Sequence, residues 1–427
     1  MTSWRHQTWW GSEMNKRLFG ISSSVAMCLA VPALAEEPDG LILPQGFHAS
    51  VVAEGLGPLR HLAARPDGVI YATTGGEGGA KPEGLVAIQL GPDGKPARTE
   101  HFSSVNGGTG IGFHRGMLYA ASADTIYRFR FKGDALLPDG EPEAIVTGLR
   151  KGTHPFSFDD RGNLFVVVGA KSNACSTKPA GGGKPVGQKP CPDLTGGGGI
   201  WRFAADRAGQ NFEDGTQIAT GIRFVTAMDW SPRVGLYASM HGRDGAHDAF
   251  PDIVSEADDD AIGDEMHHVV TGTDFGWPYS YYDGARKLRL QAPDYGGDGK
   301  MAAEGRYSTP AVVFQPVRAA PVDQLFYQGR QFPAQWRGGA FIALHGTGGP
   351  PLAQGRNGYT VAFVPFDRSG KAGDLKVFAD GFAGPSPADK NFGKAKYRPV
   401  GLAVAPDGAL YVADSNKGRI WRIRYEG

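Results

Sequence analysis

Five short segments carry residues able to bind an anion or move a proton. They are "KGTHPFSF" with His154, "GIRF" with Arg223, "MHGRDGAHD" with His241 and Asp244, "ALHGTGG" with His345, and "KYRPVGL" with Lys396 and Arg398. Each adjoins a short run of apolar and β-branched residues, as a loop at a strand end would. Histidines together with guanidinium and ammonium groups suit a ligand that carries carboxylates and gives up a proton. Each residue alone also fits a salt-bridged loop, so the chemistry depends on their convergence.

The elements that would position them repeat along the chain. "ARPDGVIYATTGG", "FHRGMLYAAS", "FDDRGNLFVVVGA", "WSPRVGLYASMHG", "QWRGGAFIALHG" and "APDGALYVADS" share one plan: a polar-Gly turn, then a short β-branched and aromatic strand. "TIYRFRF", "GIWRFAAD" and "RIWRIRYEG" add alternating, half-buried strands. Such recurrence predicts an all-β six-bladed propeller, with a pair of β-sandwiches as the competing architecture. The final "RIWRIRY" is expected to complete a blade begun at "FHASVVAEG", residues 47–55. The long gap between the fourth and fifth copies is expected to hold a blade containing residues 263–284, plus an insertion. In a propeller the strand ends named above would ring the central channel. No amphipathic helix is predicted.

Composition agrees with many short strands: 64 Gly and 30 Pro in 427 residues, without a collagen period. Forty-four basic residues balance 44 acidic ones, and no basic stripe supports nucleic-acid binding. From Met14 a basic end, an apolar run and Ala33-Leu34-Ala35 read as a secretory signal peptide cleaved after Ala35, with residues 1–13 an upstream extension. The apolar run is too short for a membrane anchor, so the mature chain, residues 36–427, is expected to be a single periplasmic or secreted propeller domain without a membrane span. Cys175 and Cys191 then remain and are expected to form a disulfide. No CxxCH haem motif occurs.

Other motifs read as structural. "GGGG" (196–199) and "GGTGIG" (107–112) lack a following helix and a Walker lysine. His267 and His268, neighbours on a strand, point to opposite faces and cannot share one ion. "FGWPYSYYDG" suits packing between blades. "EADDDAIGDE" (256–265) lacks EF-hand spacing and reads as a solvated acidic loop. Neither GxSxG nor HExxH occurs.

"THPFSFDDRGNLFVVVGAKSNAC", "CPDLTGGGGIWRF", "GIRFVTAMDWSP", "SMHGRDGAHD", "DEMHHVVTGTDFGWPYSYYDG", "GGAFIALHG" and "YRPVGLAVAPDGALYVADSNKGRIWRI" together resemble the soluble quinoprotein glucose dehydrogenase and sorbosone dehydrogenase family, the sorbosone branch most closely. The resemblance runs through the mature chain in order. It implies a six-bladed propeller using pyrroloquinoline quinone and Ca2+ to oxidise a sugar or polyol, with electrons passed to a separate periplasmic acceptor. It assigns Arg223, Lys396 and Arg398 to the quinone, and His345, at a strand end on the same channel, is expected to join them. Gly242 and Arg243 would hold calcium through backbone carbonyls, with Asp244 beside them. His154 or His241 would be the base, although alignment on "DDRGN" puts Arg150 at the family's base position. Three departures stand out: Phe224 replaces an asparagine, "GGTGIG" has no glutamine, and "HGTGGP" replaces "HGSWNR". These keep open a non-catalytic binding propeller that has lost the cofactor. A calcium-dependent lactonase is a further alternative.

Overall fold

The computed structural model describes residues 34–36, 40–75, 84–314, 318–347 and 358–427. The expected signal segment up to Ala33, and residues 348–350 of "HGTGGP", lie outside them.

The six sequence repeats become the second strands of six antiparallel blades: Ile70–Thr74, Met117–Ser122, Asn163–Val168, Gly235–Met240, Ala340–Leu344 and Leu410–Asp414. The innermost strands of blades 1 to 6 are Leu59–Ala64, Gly107–His114, Phe156–Phe158, Val225–Ser231, Pro321–Phe326 and Pro399–Val404. The sixth blade is closed by the N-terminal segment, as the sequence predicts. Phe47–Ala53 pairs with Ile420–Tyr425, Phe47 opposite Tyr425. A ring closed by its own first strand leaves no blade to fray at the chain ends.

Residues 263–284 do not found a separate blade. Asp264–Val269 is the third strand of blade 4, paired with Gly235–Met240 on one side and Val312–Phe314 on the other. The remainder is an insertion with its own hairpin, Ser280–Asp283 against Leu288–Gln291. Phe275 and Trp277 are buried there, as a packing role requires. His267 is fully buried between Glu265 and Ser308, while His268 is exposed and stacks on Tyr237. The opposite-face prediction holds.

The acidic run is not a solvated loop. Glu256–Asp260 forms a short helix capped by Ser255, and Asp259, Asp264 and Glu265 are buried. Each has a partner that offsets the cost of burying it: Arg318 for Asp259, Arg289 and His267 for Glu265, backbone N–H groups for Asp264. The only other α-helix among the described residues is Ala246–Ala249, and no helix is long and apolar enough to cross a membrane.

Cys175 and Cys191 are joined as predicted, with a Cα–Cα distance of 6.0 Å. The glycine run has a packing reason. A β-carbon at Gly197 would collide with the Arg150 guanidinium, which donates to the Asp193 and Gly169 carbonyls.

Inner strands of neighbouring blades splay apart, so their free N–H groups need other acceptors. Aspartates serve. Asp229 of blade 4 accepts from Phe326 N of blade 5 at 2.7 Å and from Ser157 Oγ of blade 3 at 3.2 Å. Asp323 of blade 5 accepts from Leu402 N of blade 6 at 2.8 Å. Asp264 links Gly242 N of blade 4 to Ala320 N ahead of blade 5, each at 2.8 Å.

Candidate active site

Where the inner strands begin, a cavity of about 350 Å³ opens. Its wall takes Arg60, His61, Thr109, Thr226, Val322 and Val400 from the starts of inner strands. Thr153, Phe224, Phe392 and Arg398 come from the loops before them, and His241 and His345 directly follow second strands. None of the described lining residues is acidic. A pocket with two guanidinium groups, three imidazoles and no carboxylate favours an anion.

Arg398 is 3% exposed, and its guanidinium donates to the His345 and Gly346 carbonyls at 3.2 and 2.6 Å. Asp414 holds its backbone N–H at 2.7 Å. The ring of Phe392 lies 4.8 Å over the guanidinium. His345 is also 3% exposed, with Nε2 2.7 Å from Ser415 Oγ. Burial, and then the Arg398, Arg60 and His241 charges, hold its pKa well below the ordinary histidine value, so it is a neutral hydrogen-bonding group. Thr226 Oγ1 is buried in the wall without a partner. An orphaned hydroxyl in a cationic pocket is a donor waiting for a ligand oxygen.

His241 is half-buried, with Nε2 2.9 Å from the Pro321 carbonyl. That contact makes Nε2 the protonated nitrogen and leaves Nδ1 as the acceptor. Its place is set by the Asp264 staple, which ties Gly242, the next residue, to Ala320, the residue before Pro321. Asp264 is thus a positioning residue that sequence reading placed in a solvated loop.

Of the predicted residues, the cavity unites His241, His345 and Arg398. His154 is not available as a base. Both ring nitrogens face backbone carbonyls, Val167 and Ala123, each at 2.9 Å, and burial lowers its pKa. Its backbone is in the left-handed region at φ 45°, held by Thr109 N–H on the Thr153 carbonyl. Arg150, at the aligned position, is committed to carbonyls away from the lining. Lys396 is exposed, over Tyr397 at 5.3 Å, outside the cavity wall.

The segment expected to hold calcium presents oxygens, and Arg223 holds two of them: the Gly242 carbonyl at 2.7 Å and the Asp244 carboxylate. Asn173 fixes Asp244 further through both backbone groups. Arg223 Nε remains buried without a partner. The Arg243 side chain turns away to the fully buried Asp294 and the ring of Phe250. Among the described residues no three His, Cys, Asp or Glu side chains are grouped to hold a metal, so a cation here would depend on carbonyls.

Arg60, His61, Thr226 and Phe392 were not singled out as site residues from sequence. "PLRHLA" has the arginine-histidine signature of the other strand ends and was the signal available for the first two.

A family model described as TrAA12-like matches residues 41–426. The chain belongs to this family. That membership bears out the quinoprotein sugar dehydrogenase family expected from the sequence. The holo PQQ domain of pyranose dehydrogenase from Coprinopsis cinerea is 17% identical, with a TM-score of 0.68 over 91% of this chain and 98% of that one. The calcium structure of the Trichoderma reesei Carbohydrate-Active Enzymes Family AA12 protein gives 17%, 0.70, 90% and 97%. The PQQ-bound aldose sugar dehydrogenase of Streptomyces coelicolor gives 19%, 0.56, 90% and 99%. At such identities these likenesses speak for the propeller. A curated relative, an uncharacterised protein of Borreliella burgdorferi, is 26% identical over 213 residues, and the match spans about half its length, 48%.

Proposed function

We propose that the chain is an exported quinoprotein dehydrogenase that oxidises a hydroxyl or aldehyde carbon of a sugar or polyol. The observation that carries this is the acid-free cationic cavity with an orphaned Thr226 hydroxyl and the acceptor nitrogen of His241 on one wall. The donor set fits pyrroloquinoline quinone, a flat tricarboxylate. Arg398 and Arg60 would hold its carboxylates, and Thr226 and neutral His345 would meet its remaining oxygens. When bound, the quinone supplies the two-electron acceptor for the oxidation.

The protein's own part is proton transfer and positioning. His241 Nδ1 takes the substrate hydroxyl proton as the carbon–hydrogen bond breaks, and the Pro321 carbonyl steadies the resulting imidazolium through Nε2. Buried Asp264 keeps that acceptor in place. The Gly242 and Arg243 carbonyls would hold calcium, which would polarise the quinone oxygen that accepts the electrons. We assign the chain to the sorbosone branch and its first 35 residues to export. Its electrons would pass to a separate periplasmic acceptor.

Titrating the purified chain with pyrroloquinoline quinone, with and without Ca2+, by absorbance and calorimetry tests the reading. Dye reduction across a panel of aldoses and polyols follows. Saturable quinone binding with sugar-dependent dye reduction is the expected result. Failure to bind quinone in either condition refutes it and leaves a non-catalytic propeller.

A further inference from the structure

The chain carries no net charge, yet beside the cationic cavity its lysines gather without partners. Two loops of blade 6 meet there: residues 384–398, which lead into the inner strand, and residues 415–419, which follow the second strand. They present Lys394, Lys396 and Lys417, all exposed, and none of the three has an ion-pair partner among the described residues. Lys396 Nζ and Lys417 Nζ each lie 5.3 Å from the centre of the buried Tyr397 ring, and the Arg419 guanidinium lies 4.5 Å from it. The carboxylates of this region are already committed. Glu54 pairs with Arg419, Asp380 with Lys390, Asp389 accepts from Ser386 N–H, and buried Asp414 accepts from the Arg398 and Lys417 N–H groups.

The two loops are tied to each other and to the blade, which holds the cations on one surface. Asn416 donates to the Ala395 carbonyl at 3.2 Å, and Lys396 N–H donates to the Ala383 carbonyl at 2.8 Å. Asn391 closes the turn around Phe392, accepting from Gly393 N–H at 3.0 Å. Phe392 is 53% exposed, the most of any described phenylalanine, and its ring lies 4.8 Å from the Arg398 guanidinium. An exposed aromatic ring beside unpaired ammonium groups carries two costs in the free protein, solvated apolar surface and like-charge repulsion. A docked partner with an acidic face relieves both.

We propose that Phe392, Lys394, Lys396 and Lys417 form the docking surface for an acidic one-electron redox protein, which takes up the electrons released in the cavity. This rests on the dehydrogenase reading of the cavity. Arg398, assigned above to a cofactor carboxylate, touches Phe392, and Phe392 reaches solvent. An acceptor seated on Phe392 is therefore one ring and one guanidinium away from the cofactor. Oxidation of one hydroxyl releases two electrons and two protons. Two acceptor proteins in succession each take one electron, and the protons pass to water, which returns the cofactor to its oxidised form. Redox contacts of this kind are small and short-lived, and complementary charge gives them their speed. Lys396, which the resemblance puts beside the quinone, acts on the outside instead.

The test pairs quinone-loaded protein with two single-haem c-type cytochromes of similar potential, one acidic and one basic. Sugar-reduced protein is expected to reduce the acidic cytochrome faster in stopped flow, and that rate should fall steeply as salt rises. Lys394→Glu with Lys417→Glu should slow it roughly 10- to 100-fold and speed reduction of the basic cytochrome. Reduction of an uncharged dye, and the KM for sugar, stay at the wild-type values. A reversed variant that reduces the acidic cytochrome at the wild-type rate overturns the proposal, as does equal reduction of both cytochromes by the wild type. A second arm needs no quinone: calorimetric titration of the unloaded chain with the acidic cytochrome at low ionic strength. Saturable binding that disappears in the reversed variant and in about 0.5 M salt supports the surface. Phe392→Ala weakens that binding at every ionic strength, and unaltered binding would remove the ring from the surface. No binding by the wild type, or equal binding by the reversed variant, refutes the proposal. If quinone fails to bind, the dehydrogenase reading falls while this arm still decides whether the surface takes an acidic protein.

Discussion

Cavities open at the two ends of the central channel, and they differ in the charged groups that line them. The one where the inner strands begin measures about 350 Å³ and is lined by Arg60, Arg398, His241 and His345. The one where they end measures about 320 Å³ and is lined by Leu62, Ile111, Phe113, Phe156, Leu325 and Val404, with Asp229 the one ionisable group among its described lining residues. The same inner strands contribute to both. The difference comes from what joins them. At the first end, loops before the inner strands and after the second strands bring long polar side chains from neighbouring blades to one point. At the other, apolar side chains of the strands themselves meet, and the aspartate is spent on Phe326 N–H, Trp230 N–H and Ser157. A propeller thus separates a face that binds from a face that holds the ring together.

Substitutions at the two ends should therefore fail in different ways. The largest effect is expected from His241→Asn. Turnover should fall by roughly 10²- to 10⁴-fold while quinone affinity stays within about twofold, read by steady-state kinetics beside an absorbance titration. A small loss of turnover would remove His241 from the chemistry and leave the first cavity as a binding site. Next comes Arg398→Lys. A point charge in place of a fork facing two carbonyls should weaken quinone binding about 30-fold, measured by calorimetry.

Cys175→Ser with Cys191→Ser acts on the loop that follows the second strand of blade 3. Its 16-residue span predicts a loss of about 3 kcal/mol in denaturant unfolding. The smallest effect belongs to the far end. Burial pushes the Asp229 carboxyl up from 3.8 to about 7, against the backbone donors that favour its charge. The folded protein keeps a proton there that the unfolded chain releases. Its stabilising contribution is complete below the unfolded value of 3.8 and is lost as pH rises through about 7. Asp229→Asn, which stays neutral, should flatten the fall in melting temperature between pH 4 and 8 and leave turnover unaltered. A change in turnover would mean that the two ends are not independent.

Much of the fold was legible because a blade is a local object. A polar-Gly turn followed by a β-branched and aromatic strand repeats its chemistry wherever a second strand is needed, and six copies specify a ring. The disulfide was readable from two cysteines in a chain whose first residues read as an export signal. The blade count survived an error about residues 263–284. A third strand and its insertion carry no turn-strand repeat, so their length looked like a blade of its own. The acidic run misled for a related reason. Charge density in sequence says nothing about whether Arg318, Arg289 or a backbone N–H stands opposite.

The site was half legible. Composition and spacing determined that histidines and arginines cluster at strand ends, and the motifs determined the family. Which of those side chains meet was decided by tertiary structure alone. His154 and His241 occupy equivalent-looking loop positions. One is turned by its left-handed backbone toward two carbonyls, and the other is held by Asp264 and Pro321 at the cavity wall. Backbone conformation and contacts between blades, separated by dozens of residues along the chain, set that choice, and neither is written in the local pattern.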